Sequence, residues 1–292
     1  MAQFTYLKLL AAGFTTLQIY KLTAFSPHFL ESSRHEQCAI LNHFVQFQSN
    51  KALSTACNQF SKLYTEKIID DLSKAKVKFI AVNHVHYSSL LREITYPPLI
   101  LYYRGNIKLL NQKAILGVIG SRNATSYTEQ SLHYLYPSFK QHKLCIVSGL
   151  AKGADHSALK LALKYHLPTI AILGFGHCKH YPRETHKTRS QIEQDGLVIS
   201  EYPPYTNIKK YHFPQRNRLI SGIAKGVLIT ESEAHSGTQI TINCALDQNR
   251  EVYVISGRIF DRMTKGNMLA AQQGAKIVMK PEDITEDFKM TI

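Results

Sequence analysis

Short apolar runs alternate with stretches of helical length from residue 77 onward. The runs are VKFIAV, AILGVIG (114–120), LCIVSG (144–149), PTIAILG (168–174), LVIS (197–200), GVLIT (226–230), EVYVIS (251–256) and AKIVM (275–279). Most of them are continuously apolar, which is typical of strands buried on both faces of a parallel sheet. Because crossovers between parallel strands are right-handed, the pattern predicts an α/β fold with a doubly wound, Rossmann-like, mostly parallel sheet.

A different pattern precedes residue 77. Apolar side chains recur there mostly at three- and four-residue steps, which predicts helices. The recurring residues are Leu7, Leu10, Ala11, Phe14, Phe44, Phe47, Phe60, Leu63 and Tyr64. We therefore expect a small helical module up to about Ser73. Its aromatic stripes are assigned to the core, because a unit of this size must bury most of its apolar side chains.

Charge narrows the class of partner. The 292 residues include 35 Lys and Arg against 21 Asp and Glu, a formal net charge of +14. Such a chain attracts polyanions, and nucleic acid, an anionic membrane face and phosphorylated metabolites all qualify. A uniformly solvated basic surface is the alternative. With 44% hydrophobic and 19% charged residues, the composition excludes disorder of the whole chain.

Cysteines and apolar segments bear on the compartment. The five cysteines are scattered without a CxxC pair, so neither a disulfide framework nor a zinc knuckle is indicated, and a reducing compartment is expected. The start of the chain lacks a basic leader, and no apolar run approaches the ~18 residues that span a bilayer. We expect a cytoplasmic protein with no membrane insertion.

In a doubly wound sheet, ligands collect where strands end and the chain enters the next helix. After AILGVIG come Ser121 and Arg122, with a helix predicted from about Ser126. Gly120 permits a tight turn, the first helical amides would face an anion, and Arg122 adds a guanidinium, so this loop outlines a phosphate site. The loop is not a GxGxxG fingerprint and no acidic residue closes the next strand, so we expect no dinucleotide cofactor. Taken alone, the loop is equally consistent with an ordinary glycine turn.

Two further loops combine glycine with cations. The loop after LCIVSG carries Ser148, Gly149 and Lys152 ahead of a helix that Asp155 is placed to cap. The loop after PTIAILG contains two glycines and then Arg183. Both loops therefore repeat the association of tight turns with positive charge.

Aromatic and basic side chains interleave over residues 209–218, KKYHFPQRNR. Aromatics that stack on bases and cations that meet phosphates form the usual surface of single-strand binders. The alternative is a basic helix start with Phe213 packed beneath it. Arg216 and Arg218 are two residues apart and cannot share one helix face, which leaves one of them open to a structural role.

Another helix opens with Ser236, Gly237 and Thr238 after GVLIT, and its first amides favour an anion. Each strand end described above carries Gly, Ser or a cation. This concentration favours one anion-binding edge of the sheet over coincidence.

Residues that could carry catalysis or bind a metal are not arranged for it. Glu231 and Glu233 share a direction only in an extended chain, which makes an acid–base pair a poor interpretation. The stretch HCKH (177–180) lacks the second cluster that a four-coordinate metal needs, so a solvated loop is predicted. Ser148 lies outside a G-x-S-x-G elbow. We expect neither catalytic residues nor a metal.

Several motifs occur in an order that is specific when they are taken together. They are YSSLLREITYPPLILYYRGN (87–106), GVIGSRNATSY (117–127), IVSGLAKGAD (146–155), ILGFG (172–176) with YPR (181–183), SEYPP (200–204), FPQRNRLISG (213–222), TESEAHSGT (230–238) and GNMLAAQQGA (266–275). Over roughly residues 77–292 the chain resembles the DNA-processing protein A family, also called DprA or Smf.

The resemblance implies an extended Rossmann-like DNA-binding domain over residues 77–292 with no C-terminal winged-helix domain. A small all-helical domain of the SAM or helix-hairpin-helix type would precede it over residues 1–73. The resemblance also implies a cytoplasmic, homodimeric protein without enzymatic activity. Such a protein binds single-stranded DNA, protects it during natural transformation and loads the RecA recombinase onto it. A single-strand-binding protein is a further expected partner.

Site residues carry over from the family by position. The GSR loop, which contacts the DNA backbone, matches residues 120–122, the arginine of YPR matches Arg183, and FPxRNR matches 213–218. The full predicted DNA-binding set is Gly120, Ser121, Arg122, Ser148, Gly149, Lys152, Arg183, Lys209, Lys210, Arg216, Asn217, Arg218, Gly237 and Thr238. The departures from the family's pattern are Leu159 in place of His, Thr185 in place of Asn and His235 in place of Arg.

The alternative function is a nucleotide-processing enzyme of the lysine-decarboxylase-like, phosphoribohydrolase group. That group's PGGxGT-type loop is missing, because the comparable segment reads AHSGTQ (234–239). A membrane or RNA footprint is set aside, since the chain shows no basic amphipathic helix with an aromatic face and no RNP-like aromatic pair on a strand.

Overall fold

Helices open the chain within the residues that the computed structural model describes, 2–46 and 51–289. They are α1 (Ala2–Ala12), α2 (Thr16–Phe25), α3 (Arg34–Gln46), α4 (Lys51–Lys62) and α5 (Thr65–Lys74). Phe14, Phe44 and Phe60 are buried in their shared core, as predicted, whereas Tyr64 is 59% exposed. Phe47 lies outside the described residues. The N-terminal helical region is confirmed, and its independence as a domain of residues 1–73 stays a prediction.

One sheet of nine strands follows within the described residues. The strands are β1 (Lys78–Ala81), β2 (Ile100–Gly105), β3 (Ile115–Ile119), β4 (Cys145–Ser148), β5 (Thr169–Leu173), β6 (Leu197–Ser200), β7 (Gly226–Ile229), β8 (Glu251–Ile255) and β9 (Lys276–Val278). Across the sheet their order is β1-β2-β6-β5-β4-β3-β7-β8-β9. In this order the seven strands β6, β5, β4, β3, β7, β8 and β9 pair in parallel with their neighbours. In contrast, β2 pairs antiparallel with both β1 and β6. This arrangement confirms the predicted α/β fold with a mostly parallel sheet.

Helices cover both faces of this sheet. They are α6 (Ser89–Arg92), α7 (Ser126–Gln141), α8 (Ala154–Lys164), α9 (His186–Asp195), α10 (His212–Ile223), α11 (Thr238–Asp247), α12 (Lys265–Gln272) and α13 (Glu282–Thr285). Along β3, Ile115 and Ile119 pack in one core with α10 and α11, while Leu116 and Val118 pack in another with α7 and α8. The strands β3 to β8 are therefore buried on both sides, which explains their largely apolar sequences, whereas the edge strand β9 is mostly exposed. No helix formed by the described residues is long and apolar enough to cross a bilayer.

The sequence pattern did not predict β2, the strand that joins β1 to the parallel part of the sheet. Gly105 ends this strand with φ of +96°, and a Cβ there would collide with the carbonyl of Gly196. Leu7 of α1 and Leu72 of α5 pack in one cluster with Tyr102 of β2. The N-terminal helices thus cover the antiparallel side of the sheet.

The chain winds away from β3 in both directions, because β4 lies on one side of it and β7 on the other. A crevice forms where such a reversal occurs, outside the carboxyl ends of the strands. We call the side of the sheet at which the parallel strands end the carboxyl edge. The predicted site residues of the GSR loop lie there, directly after β3.

Candidate nucleic-acid interface

The GSR loop, residues 120–122, is held between the loops that follow β4 and β7. The amide of Ser121 donates to the carbonyl oxygen of Glu231 at 2.7 Å, and the Ser121 carbonyl accepts from the amide of Ala154 at 3.0 Å. A Cβ on Gly120 would lie 2.7 Å from the Thr230 hydroxyl, so only glycine fits this approach. With its backbone fixed in this way, the loop presents the exposed Arg122 side chain outward.

The beginning of α7 is occupied by a carboxylate of the chain itself. Glu231 is fully buried and accepts four hydrogen bonds, from the amide and hydroxyl of Thr125 and from the amide and hydroxyl of Thr128, at 2.7–3.2 Å. Thr125 is the N-cap of α7 and caps the amide of Tyr127. The prediction that the first amides of α7 face a bound anion is therefore wrong, because an internal carboxylate already satisfies them.

The loop after β4 is folded around Asp155. The prediction that Asp155 caps α8 is wrong, because Gly153 is the N-cap of this helix. Gly153 has φ of +77° and packs against the GSR loop. The buried Asp155 carboxylate instead accepts the amide of Gly149 at 3.2 Å. Burial raises the pKa of Asp155, and the charge of Arg216 opposes that rise. Ser148 is fully buried and donates to the carbonyl of Val118 at 2.6 Å, so its hydroxyl serves the sheet.

The two arginines of FPQRNR point in different directions, as their spacing predicted. Arg216 is 3% exposed and donates to the carbonyl of Ile172 at 3.0 Å. Its guanidinium occupies the space that a Cβ on Gly149 would need, and burial lowers its pKa. Arg218 forms an ion pair with Glu201 at 2.6 Å and donates to the carbonyl of Tyr96 at 3.1 Å. Both guanidinium groups are therefore bound within the protein.

Two adjoining clefts open at the carboxyl edge. The first, about 330 Å³, we call the GSR cleft, and the second, about 300 Å³, we call the YPR cleft. Predicted residues that line the GSR cleft are Gly120, Ser121, Arg122, Arg216, Asn217, Gly237 and Thr238. Predicted residues that line the YPR cleft are Arg122, Gly149, Lys152 and Arg183. Ten of the fourteen predicted residues therefore meet at one continuous site, since Arg122 belongs to both clefts.

Phe213 and Arg122 form the wall between these clefts. The Arg122 guanidinium carbon lies 5.5 Å from the centre of the Phe213 ring, within the range of a cation–π contact. On its other sides the ring contacts Phe175 at 6.4 Å and Tyr181 at 5.9 Å between ring centres. Half-buried Phe213 is thus both packed against the core and accessible from the clefts. The two alternatives from the sequence, a ring that stacks on bases and a ring packed beneath the helix start, are therefore compatible.

Charge differs between the two clefts. Arg122 and Arg216 in the GSR cleft are balanced by Asp155 and Glu233. In the YPR cleft, Arg122, Lys152 and Arg183 face the single carboxylate of Glu184, so a net charge of +2 remains. None of these three cations forms an ion pair within residues 2–46 and 51–289. Their charge is therefore available to a ligand from outside.

The N-terminus of α11 adds positive potential from the helix dipole, in contrast to the side-chain cations of the YPR cleft. Ser236, Gly237 and Thr238 line the GSR cleft, and no side chain caps this helix. A Cβ on Gly237 would meet nothing within 4 Å. No side chain therefore neutralises the helix dipole at this end, and Gly237 leaves space for an anion, which fits the prediction for this helix. The amide of Gln239 is already used, since it donates to the carbonyl of Ser236 at 3.1 Å.

The remaining predicted residues lie apart from the clefts. Lys209 and Lys210 are exposed on the segment before α10, and the Lys209 ammonium lies 5.6 Å from the ring centre of Tyr211. Arg218 lines neither cleft. Thr241 also lines the GSR cleft and was not among the predicted residues. Its three-residue spacing from Thr238 along α11 was the available signal.

The predicted solvated loop HCKH is partly buried. His177 is 2% exposed, and its Nε2 lies 3.1 Å from the carbonyl oxygen of Tyr102. Burial, together with the neighbouring Arg189 charge, lowers the pKa of His177 to about 3. The prediction of a solvated loop is wrong for this residue, because the loop passes over the antiparallel strand β2. Among the described residues, no group of three or more His, Cys, Asp or Glu is placed to hold a metal ion.

The three departures from the family pattern occupy different environments. Leu159 is fully buried in a core cluster, and buried Thr185 donates to the carbonyl of Pro182 at 2.9 Å. His235 is exposed and lines the GSR cleft. Only His235 therefore changes the chemistry of a cleft surface directly.

Comparisons with known proteins agree with this geometry. A family model described as DNA recombination-mediator protein A matches residues 78–289. The chain is 37% identical over 225 residues to DNA processing protein DprA of Streptococcus pneumoniae, covering 76% of this chain and 79% of the relative. It is 33% identical over 232 residues to the DprA protein of Bacillus subtilis, covering 79% and 78%.

Solved structures extend the likeness to the whole fold. The X-ray structure of DNA processing protein A from Streptococcus pneumoniae matches with a TM-score of 0.85 and 30% identity over 99% of both chains. A structure of DNA processing protein A from Helicobacter pylori, whose subject is its single-stranded DNA binding mode, matches with a TM-score of 0.64 and 25% identity. That match covers 73% of this chain and 96% of the relative.

Proposed function

The chain belongs to the DNA recombination-mediator protein A family, and from this premise we propose that it binds single-stranded DNA at the carboxyl edge without cutting it. The observation that carries the proposal is the YPR cleft, where Arg122, Lys152 and Arg183 outnumber one carboxylate. Phosphates of a strand would lie along these cations, because guanidinium and ammonium groups bind phosphate oxygens through charge-assisted hydrogen bonds.

Bases would stack on the aromatic side chains of the same surface. Phe213 lies between the clefts, and Tyr181 is 49% exposed on the rim of the YPR cleft. Stacking on such rings tolerates every base, since each base has an aromatic face. The proposed site therefore holds a strand by its backbone and its base planes, without a requirement for sequence.

A role in recombination follows from the family. We propose that the protein protects incoming single strands during natural transformation and loads the RecA recombinase onto them, acting as a cytoplasmic homodimer alongside a single-strand-binding protein. A protein partner is supported by Ile259 and Phe260, which are adjacent in the chain and 87% and 98% exposed. Contiguous exposed apolar surface often marks a contact between proteins.

A gel-shift titration of single- and double-stranded oligonucleotides at several salt concentrations tests the DNA site. If about five cations meet phosphates, the slope of log affinity against log salt for oligothymidine should be near −3.5, since each contact contributes roughly −0.7. Affinity that ignores salt, or a preference for duplex, would contradict the proposal.

Substitution of one loop arginine localises the site. Arg122→Ala should weaken oligothymidine binding about tenfold and lower the salt slope by roughly 0.7. Arg34→Ala is the matched control, because Arg34 is an exposed arginine of α3 in the N-terminal helical region. Equal affinities for the two variants would remove the GSR loop from the site.

Assays for catalysis test the absence of an enzymatic role. The unmodified protein should release no free base from nucleoside monophosphates and should leave single-stranded DNA intact. Release of base at a rate that depends on protein concentration would instead favour the phosphoribohydrolase alternative.

A further inference from the structure

A cavity of about 890 Å³, larger than either cleft, lies where β3 and β7 begin. Lys113 lies two residues before β3, and Lys225 lies directly before β7. Both form part of the wall of this cavity, together with Arg92, Phe288 and Lys289. We call it the amino-edge cleft. It is separated from the GSR loop by the length of β3, about 16 Å at the usual rise per residue.

The charged side chains that line the amino-edge cleft are all positive. Its cations are Arg92, Lys113, Lys225 and Lys289, and no carboxylate is among the residues that line it. Acidic residues on the adjoining chain are already engaged elsewhere: Glu93 pairs with Arg250, and Asp287 pairs with Lys276. Asp287 also interacts electrostatically with Lys225. The other three cations, Arg92, Lys113 and Lys289, have no carboxylate opposite them in the lining.

Two of these cations are held in place by the protein. The Lys225 ammonium donates to the carbonyl of Asp287 at 2.7 Å and lies 5.6 Å from the ring centre of Phe288. The Arg92 Nε donates to the carbonyl of Val82 at 3.1 Å. Each of these contacts leaves other N–H donors of the same group unused.

The other two cations are free. Lys113 and Lys289 are exposed and make no ion pair or side-chain hydrogen bond with any described residue. A flexible ammonium of this kind can move onto a phosphate without giving up an existing partner. Fixed and free cations therefore line the same cavity.

Neutral groups of the cleft suit a nucleotide better than a bare anion. Asn83 and Gln112 offer amides that both donate and accept, which is what the edges of nucleobases require. Val85, which is 78% exposed, and half-buried Leu90 supply an apolar surface, and buried Leu110 and Ile223 lie beneath it. A concave site with apolar walls and a few polar groups is typical for ligands of this size, whereas a flat lipid surface would not enter it.

We propose that the amino-edge cleft binds a nucleotide, with its phosphate between Lys113 and Lys225 and its base against the apolar wall. The same chemistry is offered by a free nucleotide and by one unit of a nucleic-acid strand. This site is independent of the clefts at the carboxyl edge. It also gives a function to Arg92, which belongs to the motif at residues 87–106; no residue of that motif lines the GSR or YPR cleft.

Equilibrium binding of fluorescein-labelled oligothymidine of eight residues, with thymidine monophosphate as competitor, tests the proposal on the full chain. The unmodified protein should bind two equivalents of the oligonucleotide, and Arg122→Ala/Lys152→Ala should retain one. Lys113→Glu/Lys289→Glu should weaken the retained equivalent at least about tenfold, because two attractions become repulsions.

The matched control is Lys108→Glu/Lys143→Glu. It makes the same change in charge at exposed lysines outside the cleft lining, and should alter the retained affinity less than about twofold. Displacement of the retained equivalent by thymidine monophosphate would identify a free nucleotide as sufficient, and failure to displace it would identify a strand. Both results support the cleft.

A different outcome is that the unmodified protein binds only one equivalent of oligonucleotide and Arg122→Ala/Lys152→Ala binds none. That result would overturn the proposal for the amino-edge cleft and leave the proposed function intact. Equal weakening by the two lysine pairs would also overturn it, since only general charge would then matter. Binding that is lost in Lys113→Glu/Lys289→Glu but unchanged in Arg122→Ala/Lys152→Ala would instead contradict the proposed function.

Discussion

The helices α7 and α11 begin at the same edge of the sheet, but only the first turn of α7 is occupied by a carboxylate of the protein itself. At α7 the buried carboxylate of Glu231 accepts hydrogen bonds from Thr125 and Thr128. At α11 no side chain caps the first turn, and Gly237 faces open space. The difference teaches that a helix N-terminus after a parallel strand is a ligand site only where the chain has not supplied its own anion.

The arginines follow the same division. Arg218 is bound to Glu201, whereas Arg122 has no carboxylate partner among the described residues. Positive groups that are satisfied internally stabilise the fold, and those left unsatisfied are available to DNA.

The largest effect is expected from Glu231→Gln. The substituted amide places N–H groups against the donors of Thr125 and Thr128, so the unfolding free energy should fall by about 3 kcal/mol. Chemical denaturation followed by circular dichroism measures it. Glu233→Gln is the control, because Glu233 pairs only with the 83% exposed Arg262 and should cost less than about 0.5 kcal/mol. Equal stabilities of the two variants would remove the distinction between the helix starts.

Gly237→Asp gives α11 the kind of carboxylate that α7 already has. The side chain fits, since a Cβ there meets nothing within 4 Å and φ is −61°. We expect oligothymidine affinity to fall about tenfold, because the new charge opposes phosphate at the helix start. Gly237→Asn has nearly the same shape without the charge and should bind within about threefold of the unmodified protein. A titration in which both variants bind equally would show that the open helix start is not used.

Arg218→Ala should affect stability and spare DNA binding. Loss of the pair with Glu201 leaves a carboxylate that is 11% exposed, so unfolding should become easier by about 1 kcal/mol. Oligothymidine affinity should stay within about twofold, in contrast to the expected loss for Arg122→Ala. Weakened DNA binding at unchanged stability would return Arg218 to the DNA site that the sequence predicted.

The smallest effect is expected from Lys209→Ala and Lys210→Ala. Both lysines are exposed and unpaired within the described chain but lie outside the clefts. Each substitution should lower oligothymidine affinity about two- to threefold and should reduce the salt slope measurably, by up to roughly 0.7. A slope that does not change would place the strand away from the segment before α10.

The sequence predicted the parallel part of the sheet well, because strands buried on both faces must be continuously apolar. It did not predict β2. Two prolines shortly precede this strand, and its least buried end reads YRG. The antiparallel position of this strand depends on long-range pairing with β1 and β6 and on packing against α1 and α5. No local pattern records such contacts.

The site was predicted in part for the same reason. Glycine turns and cations after strands are local signals, and they located the GSR loop and the YPR arginine. The partners that occupy charges internally are distant in the chain: Glu231 is 106 residues from Thr125, and Arg216 is 44 residues from its acceptor Ile172. Sequence spacing cannot show which charges find such partners, so it could not separate Arg216 and Arg218 from Arg122.

Phe213, with Arg122 above it, is a single partition between two chambers. Because the two clefts share this ring as a wall, a rotation of Phe213 that widens one cleft would narrow the other. If bases stack there as proposed, occupancy of one cleft should change the affinity of the other, and the strand would be bound as pairs of adjacent nucleotides.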